Sequence, residues 1–484
     1  MLLLFFTCTQ LQLHAQSVDS LFTTLYENYA FNGNVLIAEK GHAIYSHSFG
    51  FANVEDSLKN SEATRFHLAS VSKIFTSTAI LQLKEAGKLK LDAPVVEYLP
   101  DFPIPAITIR HLLSHTSGLP DFQVFEAPHA ADTSKIFSNA DIIPALKGWK
   151  QPLPAPGERW SYSNTGYAVL SLVIEKLSGM HYQDYLQQHI FKRSGMTNTY
   201  IQTALIPVPD ASRATWYDFH YYAPGELIRV DAIKSNRIAT VILGGIIGPG
   251  NIVSTTGDLL RFDEALYAGK LLKPATLAEA FTPTRLNNGE QATTGNSYYG
   301  LGWMILRDTS MGKIVWHSGG AAGIVTVFMR NITRHQLVIL LDNVTHRNVH
   351  GDGVRAMYML NHKTLKMDKK SLAAGYVQVL FKKGVDAAMT KFNQLKDDTA
   401  HFYMDERELN WYGLELLWNG GKALGLEALK INTLLYPGSW NVYDSYAQAL
   451  LLNGHKQEAV VMYEKSIAMN PDNRGGREAL EQIK

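Results

Sequence analysis

The sequence predicts an α+β domain built on one antiparallel sheet, followed by an all-helical domain. Three observations carry this. Strand-like alternation occurs near the N-terminus and again from Tyr299 to Asn343, with helical apolar spacing between. The composition changes near Asn361, at a lysine-rich polar stretch. Beyond it strand signals vanish, and Pro437 and Pro471 stand 34 residues apart, a period of helical-hairpin repeats.

At 484 residues the chain is too long for one ordinary core, so two or three domains are expected. It is 46% hydrophobic and 18% charged, with a formal net charge of +1. That balance argues against a nucleic-acid binder and against a polybasic membrane surface. Cys8 is the only cysteine, which excludes disulfides and cysteine-based zinc sites.

Residues 1–15 resemble a secretory signal: an apolar run from Leu2 to Phe6, continuing unevenly to Leu13, and Leu13-His14-Ala15 before Gln16. No lysine or arginine precedes Lys40, so the basic start of such signals is missing. A buried N-terminal strand is the alternative. The stretch is too short to span a bilayer. An exported protein, periplasmic or secreted, is expected, with no integral membrane segment once the signal is removed.

Val18 to Tyr29 has Leu21, Phe22, Leu25 and Tyr29 at helical spacing. Asn34 to Gly50 alternates around a Glu39-Lys40-Gly41 turn and predicts a β-hairpin. A helix opens at Ser70, with Ile74, Phe75, Ala79, Ile80 and Leu83 apolar, and stops near Gly87. Further helices are expected from about Gly166 to Lys176, from Tyr182 to Phe191 and from Thr256 to Ala268. Residues 200–235 are irregular and aromatic, with Trp216, Tyr217, Phe219, Tyr221 and Tyr222. They read as half-buried loop aromatics or as a wall of a substrate cleft. The apolar run Ile238 to Val253 is broken by Gly244, Gly245, Gly248, Pro249 and Gly250, and reads as loop and strand. Four runs, starting at Trp303, Ile314, Ile324 and Leu337, read as strands. With the hairpin they predict a sheet of about five strands.

In the C-terminal part, Glu406 to Pro437 aligns with Trp440 to Pro471: Leu409 with Tyr443, Gly413 with Ala447, Leu416 with Leu450, Leu429 with Tyr463. This is a tetratricopeptide-like pattern. Gly425 stands where the second unit has Ala459, and Leu372 to Asp397 reads as a degenerate helical hairpin before them. The expected division is a signal at 1–15, a domain at 16–362, a linker at 363–370 and helical repeats at 371–484.

Ser70 and Lys73 lie three apart at a helix start, on one helix face, so hydroxyl and amine can meet. A lysine with a lowered pKa can activate a serine nucleophile. The spacing alone is weak, since Ser310 and Lys313 repeat it between strand-like runs. Tyr162-Ser163-Asn164 follows a proline-rich loop, Pro152 to Gly157. A tyrosine beside a lysine cation would have a lowered pKa and serve as a base, and Asn164 offers a donor and an acceptor. Tyr26 to Asn28 repeats this spacing on the first helix. His317-Ser318-Gly319 ends a strand-like run, and Gly320 continues a corner whose N–H could face an oxyanion. The pairs His111/His115 and His346/His350 have i,i+4 spacing but no zincin glutamate, so no metal and no cofactor is expected.

In their order and contexts, these three elements resemble the class C β-lactamase and penicillin-binding-protein superfamily of serine hydrolases, which includes D-aminopeptidases, D-alanyl-D-alanine carboxypeptidases and family VIII esterases. Leu112 to Leu119, Gly300-Leu301-Gly302-Trp303 and Gly248 to Leu259, with its Ser254 to Leu259, are similar to that superfamily too. The resemblance covers roughly residues 18–362. It implies a β-lactamase/transpeptidase-like fold, an antiparallel sheet flanked by helices plus an all-helical domain. It implies Ser70 as nucleophile, Lys73 as its proton-transfer partner and Tyr162 as shared base and acid. Asn164, His317 and Ser318 would bind substrate, and the backbone N–H groups of Ser70 and Gly320 would form the oxyanion hole. His317 stands where the family's Lys-Thr-Gly element has lysine. A mostly neutral histidine weakens carboxylate recognition, so an esterase or D-amino-acid peptidase on a small ester, peptide or amide is favoured over a β-lactamase or carboxypeptidase. A catalytically inactive scaffold with a protein partner on the repeats is the rival of another class. The repeats can equally cap the hydrolase domain.

Overall fold

The computed structural model describes residues 17–220, 222–233, 242–346, 348–362 and 369–483. The signal-like segment, Tyr221, the start of the 238–253 run and most of the expected linker (363–368) lie outside the described residues. The chain divides into two compact units: Met1–Asp218 with Ile228–Leu365, and Phe219–Leu227 with Lys366–Lys484. Among the described residues no helix is long and apolar enough to cross a membrane.

The first unit is centred on an eight-stranded antiparallel sheet. Its strands are β1 (Gly33–Glu39), β2 (His42–Ser48), β3 (Thr293–Thr294), β4 (Ser297–Tyr299), β5 (Met304–Leu306), β6 (Ile314–Ala321), β7 (Ile324–Asn331) and β8 (Gln336–Asp342). The order is β3-β4-β5-β6-β7-β8-β1-β2, so the N-terminal hairpin joins the C-terminal strands through the β1–β8 pair, Gly33 opposite Asp342. The sequence suggested about five strands. The extra edge strands β3 and β4 have two and three residues, too short to show alternation.

Period two sorts the side chains of the central strands into two cores. Val35, Ile37, Val327, Val338 and Leu340 pack with Val18 and Phe22 of the helix over residues 17–27 and with Met357. Leu36, Phe328, Ile339 and Leu341 pack on the other face with Ile74, Phe75 and Phe262. Both faces are covered, so β7 and β8 are buried along their whole length. Four helices matter here: α1 (Ser72–Glu85), α2 (Asn164–Ser178), α3 (Thr256–Tyr267) and α4 (Val349–Leu360).

Helix α1 is buried on every side from Ser72 to Leu81. Its polar side chains are therefore bonded inside the protein. Thr76 donates to the Gly248 carbonyl at 2.6 Å and Ser77 to the Leu301 carbonyl at 2.6 Å. Gly302 lies so close that a Cβ there would sit 2.6 Å from Ser77 Cβ, and its φ of +85° suits glycine. That contact gives a structural reason for Gly300-Leu301-Gly302-Trp303. The helix is thus held by neighbours around its full circumference, which makes its N-terminal end a fixed platform.

The second unit is helical: α5 (Leu372–Lys383), α6 (Val385–Leu395), α7 (Glu406–Glu415), α8 (Lys422–Leu435), α9 (Trp440–Leu452), α10 (Lys456–Met469) and α11 (Arg474–Ile483). Its cores follow one another along the chain: Tyr376, Leu380, Leu409 and Ala428; then Leu417, Leu429 and Ala449; then Ala447, Tyr463 and Ile483. A π-turn at Leu416–Gly420 follows α7, and a Cβ on Gly425 would lie 2.5 Å from Leu417 backbone atoms. Glycine there permits that approach where the next pair has Ala459. Tyr222, from Phe219–Leu227, packs in the same unit, its ring centred 4.8 Å from Phe381. The 200–235 stretch is therefore divided, with Trp216 and Tyr217 in the first unit and Phe219 and Tyr222 in the second. Sequence periodicity carries no mark of that division.

Asp263 of α3 and Arg330 of β7 form a buried ion pair behind the sheet, with side-chain exposures of 1% and 2%. Arg330→Met strands a buried carboxylate, and chemical denaturation should show a loss of about 3–5 kcal/mol.

Candidate active site

The site starts at a sharp turn between a strand and α1. Phe66–His67 pairs antiparallel with Ile252–Ser254, and Leu68 N–H donates to the Ile252 carbonyl at 2.8 Å. The chain then enters a 3-10 turn, Ala69–Val71, before α1. Ala69 has φ +45°, a left-handed conformation that L-residues seldom adopt. The turn is pinned at several points. Ala69 N–H donates to His67 Nδ1 at 3.1 Å, and Thr326 donates to the Leu68 carbonyl at 2.8 Å. His67 Nε2 meets Asn251 Oδ1 at 3.1 Å. An amide oxygen accepts, so the His67 proton sits on Nε2 and Nδ1 is the acceptor. Burial holds this imidazole neutral, lowering its pKa to about 4.

Lys73, fully buried, brings its Nζ to 3.1 Å from Ser70 Oγ, 2.7 Å from Asn164 Oδ1 and 3.0 Å from the Pro249 carbonyl. Desolvation lowers its pKa to about 7, with Asp121 acting in the opposite direction. Tyr162 hydrogen-bonds the Ser70 side chain, and its ring centroid lies 4.8 Å from Lys73 Nζ. Its pKa is raised, chiefly by desolvation, with the Ser70 hydrogen bond acting against this. The lowered value expected from a nearby lysine cation is not found, because burial outweighs that contact and drives Lys73 itself toward neutrality.

The Tyr162 loop is shaped by the Leu112–Leu119 segment. Ser161 N–H donates to the His115 carbonyl at 2.8 Å, Ser163 N–H to His115 Nδ1 at 3.1 Å, and Gly157 N–H to the Thr116 carbonyl at 2.7 Å. The His115 ring lies 4.2 Å from that of Tyr162. His115 thus has a positioning contact, while His346 bonds Asp342 at 2.6 Å, so each i,i+4 histidine pair is divided among separate partners. Ser163 caps α2 by accepting from Gly166 N–H at 3.2 Å, which sets Asn164 at the first turn. Asp121 takes Asn164 N–H at 2.8 Å and Asn164 Nδ2 at 3.0 Å. That orients the Asn164 amide with its oxygen on Lys73.

On β6, Gly319 is pressed against the turn: a Cβ would lie 2.2 Å from the Leu68 carbonyl oxygen. A Cβ on Gly320 would meet nothing within 4 Å, and Gly320 lines the cleft with Ser70 and Asn164. His317 and Ser318 stand on β6 directly before the glycine pair. His317 is fully buried, its Nδ1–H on the Ser318 carbonyl at 2.6 Å and its Nε2 accepting from the Tyr299 hydroxyl at 3.1 Å. Burial lowers its pKa to about 3, so it is neutral. Both ring nitrogens are used, and a permanent cation of the kind lysine supplies is missing. Ser310 and Lys313, the repeat of the Ser-x-x-Lys spacing, stay in a turn where Ser310 N–H bonds Asp308 at 2.8 Å.

A cleft of about 380 Å³ opens beside Ser70, bounded by Phe122, Trp216, Leu243, Ile246 and Ile324 among others. Trp216 stands edge-on to His67 with centroids 5.3 Å apart. Asp121, His67 and Gln202 of this neighbourhood were not singled out from the sequence. Asp121 had one signal, its place directly after Leu119-Pro120; the other two had none.

This fold and arrangement define a serine hydrolase. The β-lactamase family model matches residues 18–375. Penicillin-binding protein 4* of Bacillus subtilis (strain 168) is 39% identical over 337 residues, covering 67% of this chain and 71% of that protein. The crystal structure of a penicillin-binding protein from Bacillus halodurans aligns with a TM-score of 0.59 at 28% identity, over 70% of this chain and 98% of that one. D-amino acid amidase from Ochrobactrum anthropi SV3, complexed with L-phenylalanine amide, shares the fold with a TM-score of 0.59 at 23% identity, over 73% and 99%. The chain belongs to the β-lactamase family.

The two buried imidazoles carry opposite tautomers. Nitrogen-15 NMR of histidine-labelled protein should show His67 protonated on Nε2 and His317 on Nδ1, both still neutral at pH 5.5, where unperturbed histidines near 6.5 are mostly charged.

Proposed function

We propose that the chain cleaves an ester or amide through an acyl-enzyme on Ser70, as an esterase or D-amino-acid peptidase. The observation that carries this is the seat of Lys73. A neutral amine has two N–H donors and one lone pair. The Asn164 and Pro249 oxygens can only accept from Lys73, which directs both donors to them and the lone pair to the Ser70 O–H. With its pKa near 7, Lys73 is substantially neutral at neutral pH and takes the Ser70 proton as Oγ attacks the carbonyl carbon. The resulting ammonium keeps all three partners, so proton transfer needs no rearrangement.

In this reading the N–H groups of Ser70 and Gly320 hold the oxyanion; losing one such donor typically costs about 10²–10³ in rate. Tyr162, whose raised pKa keeps it a phenol, relays a proton from Lys73 to the leaving group and is reprotonated in turn. Water then attacks the acyl-enzyme, giving its proton to Lys73, and Ser70 leaves with one. Asn164 orients substrate as well as Lys73, and His317 and Ser318 shape the strand that presents Gly320.

Neutral His317 supplies no charge for a substrate carboxylate, which supports esters and amides over β-lactams or peptide C-termini. The presence together of Ser70, Lys73 and Tyr162 speaks against an inactive scaffold. The C-terminal helices we read as a tetratricopeptide-like array, supported by the 34-residue spacing and the successive helical cores. Protein docking or domain capping are its two roles to test.

Intact-mass analysis should show a single fluorophosphonate adduct on the wild type and none on Ser70→Ala. Activity should rise with pH across about 7 as Lys73 loses its proton. In Asp121→Ala that limb should move to lower pH, because the Asp121 carboxylate raises the Lys73 pKa. A limb unmoved by this change would remove Lys73 as the base.

A further inference from the structure

A second cavity, of about 430 Å³, lies at the end of α1 opposite Ser70, roughly 20 Å along the helix. Helices α1, α2 and α3 end at its rim. The helical segment over residues 182–194 forms one side, through Tyr185, His189 and Arg193 at i,i+4 spacing. Gln82 closes the floor. Its Nε2 donates to the His189 and Leu271 carbonyls, both at 3.2 Å, and its Oε1 accepts from the Tyr185 hydroxyl at 3.3 Å.

The lining is strongly basic. It holds Lys88, Arg193, Lys270 and Lys273 against one carboxylate, Glu85, on a chain whose formal net charge is only +1. Glu85 is itself engaged, accepting from Lys273 N–H at 2.8 Å. Helix dipoles draw cations to C-terminal ends, but the backbone closes these ends without them. Lys88 N–H bonds the Leu83 carbonyl at 2.9 Å, Met196 N–H the Phe191 carbonyl at 2.9 Å, and Lys270 N–H the Ala265 carbonyl at 3.0 Å. Lys88 Nζ donates to the Leu177 carbonyl at 3.2 Å. The side chains of Arg193, Lys270 and Lys273 have no polar partner among the described residues, so their N–H donors are open to a ligand. Tyr185 and His189 register the same field. Burial lowers the His189 pKa, and Arg193 and Lys88 lower it further. Burial raises that of Tyr185, and Arg193 acts against this. No carboxylate acts on either group.

These features select a ligand chemistry. A guanidinium fork with ammonium point charges matches the several acceptor oxygens of a phosphate. A phosphate monoester carries about two negative charges near neutral pH, enough to meet more than one of these cations. Leu83, Leu271 and Leu272, all buried, supply an apolar wall for an organic portion. The volume suits a small molecule. We propose that this cavity binds a small phosphate-bearing molecule through Arg193, Lys270 and Lys273, at a site separate from Ser70.

The test is calorimetric titration of the full chain with inorganic pyrophosphate at pH 7.5 and constant ionic strength, without divalent metal. One saturable site with Kd below about 1 mM is expected. Arg193→Gln and Lys270→Gln should each raise that Kd at least about tenfold, the worth of a hydrogen bond to a charged group. Lys150→Gln, in the lining of a different cavity, should bind as the wild type does. Ser70→Ala should also bind unchanged, so the outcome is independent of the hydrolase reading. Absence of saturable binding up to 10 times that concentration would overturn the proposal. So would equal weakening by all three charge-removing variants, which would mark diffuse surface attraction. Arg193 and Lys270 are exposed, and each variant decides the matter alone if the other loses its melting transition. A parallel sedimentation assay uses phosphatidylglycerol and phosphatidylcholine vesicles. Arg193-dependent capture by the anionic vesicles that pyrophosphate does not displace would assign the cavity to a lipid headgroup and overturn a small soluble ligand.

Discussion

A lysine side chain buried with only neutral partners is the constraint on which the rest of the site depends. Lys73 sits between a hydroxyl, an amide oxygen and a backbone carbonyl, with no carboxylate in contact. Lowering its pKa from 10.5 to about 7 corresponds to on the order of 5 kcal/mol against the charged form. Such a group must be held by structure that is stable for other reasons. Helix α1, buried on every side, and the two-sided sheet packing provide that structure. Asp121 moderates the penalty from one residue away, through Asn164, leaving the amine poised near neutral pH.

The second constraint is geometric. Ser70 lies in a tight turn that begins with a left-handed alanine. Neighbouring groups determine this conformation: His67 holds the Ala69 N–H, Thr326 the Leu68 carbonyl, and Gly319 lets β6 approach. Strained backbone of this kind persists where surroundings over-determine it. The same contacts place Gly320 beside Ser70, so a single packing arrangement aims the hydroxyl and exposes the strand edge. The glycines of His317-Ser318-Gly319-Gly320 are needed at two distances: Gly319 for contact with the turn, Gly320 for openness toward the cleft.

Much of the fold was legible because it rests on local pattern. The hairpin, the strands β5 to β8 and helices α1, α2 and α3 follow from apolar runs and turn residues. Strands β3 and β4 were missed because two or three residues carry no period and, unlike β5, they contain no aliphatic run. The meeting of Ser70 and Lys73 was legible from i,i+3 spacing, and Tyr162 and Asn164 from their order in the chain. Asp121 and His67 were not, since their roles depend on partners at Asn164 and Asn251 that no local pattern links to them. The sequence suggested a lowered Tyr162 pKa from one imagined charge. Burial reversed the direction, and burial is a property of the whole neighbourhood.

The sequence by itself determined the domain class, the Ser70–Lys73 spacing and the lack of a permanent cation at position 317, because these depend on residue type and on contacts within one helical turn or one strand. Only the tertiary structure decided that His317 is fully buried with both nitrogens occupied. It also decided that burial brings the Lys73 pKa down to about 7 and that Phe219–Leu227 joins the helical unit. Each of these depends on burial or packing among residues distant in the chain, and such quantities exist only once the chain has folded.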